Sequence, residues 1–206
     1  HSMHTIIPEH AGAIMMANLG HLQPNRPSMG SWLVYGLGTE NQDLPGFVAM
    51  SPRAQPRGKA ANWGNSFLPG AYNGVYVNVG EMHPERALRD LKNPLLRRGE
   101  LREQADLLAK LNKVHLKRQV KDQNLEASIQ AMEMAFRMQF AVPEVFDVSK
   151  ETKPTLEMYG DSDYAKGCLL ARRLVERGVR MVQVSHSIDG YDIAWGTGHN
   201  DIVGGH

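Results

Sequence analysis

Asp161-Ser162-Asp163-Tyr164-Ala165-Lys166-Gly167-Cys168-Leu169-Leu170-Ala171-Arg172-Arg173-Leu174-Val175-Glu176-Arg177-Gly178-Val179-Arg180-Met181-Val182-Gln183-Val184 is the stretch that decides the fold. The Asp-Ser-Asp cluster supplies side-chain oxygens for the free amides of a helix start. Residues 164–177 then read as a helix, and Gly178 stands where a left-handed closing residue belongs. The apolar run that follows makes 179–186 the best strand candidate in the chain. A helix, a tight glycine turn and a buried strand in that order predict an α/β sheet with helical crossovers.

Immediately beyond the strand, the chain enters a Gly-rich segment carrying His186, Asp189, Asp192, His199, Asp201 and His206. In open α/β sheets, ligands bind in the crevice beyond the carboxyl ends of the strands. Neutral imidazole and carboxylate together suit zinc and similar divalent cations. An exposed connector also carries polar residues as a matter of course, so both readings stand on composition alone.

Working back toward the start, 11–19 forms an apolar helix between Pro8 and Gly20, with the punctuation expected of helix ends. His4, Thr5, Glu9 and His10 lie just ahead of it. A hydroxyl near a helix start can serve as a nucleophile, and the free amides there can hold an anionic oxygen. Thr5 can equally be a plain helix cap with His10 on the first turn. Asn25-Arg26-Pro27-Ser28 precedes a short helix at 31–35; Arg26 could grip an oxyanion bidentately or tie the loop to backbone carbonyls. Leu44-Pro45-Gly46-Phe47-Val48-Ala49-Met50 reads as a turn feeding a short buried strand. Residues 51–80, rich in Gly, Pro and Asn, read as an ordered surface excursion holding Trp63, Phe67 and Tyr72.

Residues 100–121 and 123–140 show helical spacing of apolar positions and predict a helical hairpin set into the sheet domain. Lys113, Lys117, Arg118 and Lys121 read as a solvated face, and Met132, Met134 and Met138 as core filler. The single cysteine, Cys168, excludes an internal disulfide framework. Its apolar surroundings read as those of a small buried hydrophobe. With 23 Lys+Arg against 22 Asp+Glu, there is no basic excess to suggest nucleic acid as a partner. No apolar run is long enough for a transmembrane segment. Both ends read as cut: Gly204-Gly205-His206 stops inside the His/Asp segment, so 1–206 is expected to be one partial domain of a longer protein.

Several blocks together resemble a bacterial, planctomycete-type sulfatase-like family, domain-of-unknown-function family fifteen-oh-one, in the alkaline phosphatase superfamily. They are Ser2-Met3-His4-Thr5 with His10, Arg26-Pro27-Ser28-Met29-Gly30-Ser31-Trp32-Leu33-Val34-Tyr35-Gly36-Leu37-Gly38, Leu44-Pro45-Gly46-Phe47-Val48, and the two blocks 168–176 and 178–184. The blocks span the chain in the family's order. The resemblance implies a sheet flanked by helices, and hydrolysis of sulfate or phosphate esters with a divalent metal (zinc, calcium or manganese). The implied substrate is a small anionic ester or a sulfated glycan, and export is implied by a leader upstream. Under that resemblance Thr5, His10 and Arg26 become catalytic candidates, and His199, Asp192, His206 and His186 metal candidates. Trp195, His199, Asp201 and His206 fit the family's order after the strand. Gly196-Thr197-Gly198 stands where the family has an aspartate after the tryptophan. Either Asp192 supplies that carboxylate or the metal position is impaired. Ile6 and Pro8-Glu9 also depart from the acidic and Asn residues usual after the threonine. The impaired case leaves a rival expectation, a non-catalytic protein that keeps the fold to bind polysaccharide or a cell surface.

Overall fold

The computed structural model describes residues 6–52, 55–80, 100, 103, 106–107, 110, 133–134, 137–138, 141–142 and 144–186. Within them, helix α1 (His10–Leu19) and helix α2 (Met29–Leu37) precede strand β1 (Phe47–Ser51). Two 3₁₀ turns, Lys59–Trp63 and Gly70–Tyr72, lead to strand β2 (Val75–Asn78). Helices α3 (Lys153–Tyr159) and α4 (Asp163–Glu176) then lead to strand β3 (Met181–Val184). The three strands are parallel in the order β2-β1-β3.

The decisive stretch folds as its residues predict. Ser162 accepts the Ala165 amide at 3.1 Å and starts α4. At the other end Gly178 takes φ 85°. Its amide bonds the Val175 carbonyl at 2.9 Å, and the Val179 amide bonds that of Leu174 at 3.1 Å. Those paired bonds satisfy the last carbonyls and turn the chain back along the helix. The strand is shorter than the expected 179–186: Val179 is core, while the Ser185 amide still bonds the Met50 carbonyl at 2.8 Å.

Parallel strands alternate side chains between two faces, and both faces here are covered. On one, Val48, Met50, Val77, Val182 and Val184 pack with Leu170 and Leu174 of α4 and with Met138, Val142, Val145 and Phe146. On the other, Phe47 and Ala49 pack with Val34 of α2, Trp63, Tyr72, Tyr76 and Met181. Gly30 lets α2 reach this second face, since a Cβ there would lie 2.5 Å from the Phe47 ring.

The stretch 51–80 corrects the expectation of a surface excursion. Trp63 is buried in the second core and stacks on Tyr76, with centroids 5.1 Å apart, and Val75–Asn78 is a strand of the sheet. The hairpin expected over 100–140 lies largely outside the described residues. Those described within it are helical, and Met138 belongs to the first core.

Candidate functional site

The carboxyl ends of the strands carry Ser51, Asn78 and, just past β3, Ser185 and His186. Because α4 runs antiparallel to β3, its amino end comes to this same rim. Tyr164, on its first turn, meets His186 edge to face, with ring centroids 4.8 Å apart and planes at 71°. Cys168 follows one turn along the same helix. The proximity of Cys168, and then burial, push the Tyr164 hydroxyl above its usual pKa. Cys168 is half-buried, in keeping with a mostly apolar setting.

On the second face, Ser51 at the end of the central strand bonds the Tyr76 hydroxyl at 2.6 Å. Burial raises the Tyr76 pKa, opposed by that bond. Ser51 is fully buried, so its hydroxyl supports the rim and is not presented to solvent.

Helix α1 joins the sheet through a chain of amides. Gln183 of β3 donates to Asn18 at 3.2 Å, and Asn18 donates to the buried Asn62 at 3.1 Å. Asn62 in turn donates to the carbonyls of Arg57 at 2.8 Å and Lys59 at 3.1 Å. Helix α1 thus packs beside the turn Lys59–Trp63, and His10 stands about 12 Å along the helix from Asn18.

The cap of α1 is Glu9. Its carboxylate accepts the Ala11 amide at 2.8 Å and the Gly12 amide at 2.7 Å. These bonds, first of all, hold its pKa below the ordinary carboxylate range. Two of the amides expected to hold an anionic oxygen are thus taken by the chain's own side chain.

Arg26 stands elsewhere. It is exposed, two residues before Ser28, whose amide bonds the Gly64 carbonyl at 2.9 Å. Ser28 caps α2, and Ser31 donates to the same carbonyl at 3.1 Å. The neighbouring Trp63 carbonyl accepts the Gly74 amide at 2.9 Å, just ahead of β2. This loop therefore lies by the amino edge of the sheet, away from the rim that carries His186. The Arg26-Pro27-Ser28-Met29-Gly30-Ser31 block earns its composition through packing: a cap, a carbonyl tie and a close helix approach.

Of the sequence-derived candidates, His186 stands at the carboxyl rim, His10 opens α1, and Arg26 lies by the amino edge. Thr5, Asp192, His199 and His206 lie outside the described residues. Among the described residues, no group of three or more His, Cys, Asp or Glu could hold a metal. Sequence reasoning passed over Tyr164, although its reach was readable. Fourteen helical residues before Gly178 cover about 21 Å, and eight extended ones after it about 26 Å, so the two ends meet.

The class so defined is an α/β protein with a parallel sheet covered on both faces and polar side chains gathered at its carboxyl rim. Residues 1–205 match the model of a family described as a protein of unknown function (DUF1501), and the chain belongs to that family. No curated protein and no solved structure matches the chain. No described helix is long and apolar enough to cross a membrane.

Proposed function

We propose that the chain belongs to a sulfatase-like, divalent-metal-dependent hydrolase of sulfate or phosphate esters. The observation that carries this reading is the exit of the His/Asp-rich segment from the carboxyl end of a parallel strand. The donor chemistry fits, since imidazole suits zinc and carboxylate suits calcium or manganese. His199 with Asp192 or His206 would hold the ion, with His186 beside them, and a bound ion would neutralise charge on the ester oxygens. Thr5 is the proposed nucleophile, with His10 near it. Arg26, exposed by the amino edge, takes no part in the chemistry of this reading. A small anionic ester or a sulfated glycan is the substrate class, and export is the expected route.

Metal content tests this directly. Wild-type protein is expected to carry zinc, manganese or calcium, and His199→Ala to lose it. Turnover of aryl sulfate or aryl phosphate should stop on chelation. Unchanged metal content in the variant would remove His199 from the site.

The Gly196-Thr197-Gly198 departure favours a second reading, a binding protein for polysaccharide or a cell surface. Retention on a sulfated glycan with no ester turnover at any metal concentration selects it over the hydrolase.

A further inference from the structure

Tyr164 stands on the face of α4 that looks onto β3, four residues before Cys168, so the two share one side of the helix. Gly167 lies between them and against the sheet, where a Cβ would come 3.3 Å from Val184 Cγ1. Helix and strand are thus closest next to the point where the strand ends. One step beyond, the exposed His186 meets the Tyr164 ring edge to face at 4.8 Å. Edge-to-face geometry fixes the plane of one ring against the other. The ring that does the fixing is itself held by its place on the first turn of α4.

We propose that Tyr164 is a positioning residue: its ring sets the orientation of the His186 imidazole at the carboxyl rim, where the His/Asp segment begins. This rests on the reading of His186 as part of a metal site. A ligand imidazole works through the direction of its ring nitrogens, and groups that fix that direction govern affinity from outside the coordination shell. Tyr164 touches no reacting atom in this account; it acts through His186.

Three variants of the whole chain test it: Tyr164→Leu, Tyr164→Phe and His186→Gln, the last also assigning the His186 ring signals. In proton–carbon spectra, Tyr164→Leu should move the His186 ring resonances toward those of a free imidazole, and Tyr164→Phe should leave them near wild type. Zinc alone, added in titration, should bind Tyr164→Leu and His186→Gln roughly 10- to 100-fold more weakly. Tyr164→Phe should stay within a few-fold of wild type. Circular dichroism checks that all three keep the fold. His186 resonances unmoved in Tyr164→Leu, or full zinc affinity in that variant while His186→Gln loses it, overturns the positioning role alone. Full zinc affinity in His186→Gln overturns the metal-site reading beneath it.

Discussion

A single hydrogen atom decides the second core. Gly30 sits where a methyl group would stand 2.5 Å from the Phe47 ring, inside any tolerable contact. Phe47 is wedged between α2 and Trp63, so it has little room to yield. Gly30→Ala should therefore lower stability by about 1–3 kcal/mol, the usual cost of overpacking, read as a fall in urea midpoint at unchanged slope. Among the described residues, three carboxylates carry the pH dependence. Glu151 is held low first by its bonds to Arg172 and Arg173, Asp147 by the Ser149 hydroxyl, and Glu9 by the amides of Ala11 and Gly12. A lowered folded pKa means the folded state binds the proton less readily than the unfolded chain. Their contribution is whole above the ordinary carboxylate value of about 4 and is lost as pH falls through the folded values. Urea melts from pH 7 to pH 3 should show that fall, and Glu151→Gln should flatten it. An equally steep curve in the variant would clear Glu151 of the effect.

At the scale of elements, one cation binds α4 to the segment before α3. The buried Arg173 donates through Nε to the Val145 carbonyl at 2.7 Å, and through Nη2 to those of Glu144 at 2.9 Å and Asp147 at 3.1 Å. Its Nη1 pairs with Glu151, which also takes Arg172 at 2.6 Å. Removing such a group strands buried acceptors, so Arg173→Met should cost about 3–5 kcal/mol. Arg173→Lys should recover part of it, since an ammonium cannot match the guanidinium fork. Equal stability of Met and Lys variants in chemical denaturation would refute that account. Elements bounded by capping chemistry were legible in the sequence: α1, α4, β1 and β3 fall within a few residues of expectation. Helix α2 runs longer than the predicted 31–35 because Ser28 caps it and starts it at Met29. Helix α3 is marked only by Thr152 and Pro154 at its start, since seven residues offer too little periodicity to read. Strand β2 hid in a Gly- and Asn-rich stretch, since four residues acquire meaning only when paired with β1. Of the site, the rim at the end of β3 was legible from the strand itself. The amino-edge place of Arg26 was not, because only tertiary contacts, such as the bonds of Ser28 and Ser31 to Gly64, fix where its loop lies.

At the scale of the molecule, the proposed site draws on both faces of the sheet, and the two are secured by different physics. Tyr164 and His186 hang on the apolar core between α4 and β3, where loss of any one methyl is shared among many contacts. His10 hangs on α1, whose polar tie to the sheet is the amide chain Gln183–Asn18–Asn62. Asn62 is fully buried and satisfies two carbonyls besides Asn18, so nothing in solvent can replace it. Asn62→Ala should then cost about 1–3 kcal/mol, the desolvation of acceptors left without donors. The loss should be local: amide exchange should quicken in α1 and in 57–63 while α4 and β3 keep their protection. If the metal-site reading is right, zinc affinity governed by His186 should survive in this variant while ester turnover, in which His10 of α1 is proposed to act, falls. A uniform loss of protection over α1 and α4 together would mean that the two faces unfold as one unit, and that the carboxyl rim cannot be divided between them.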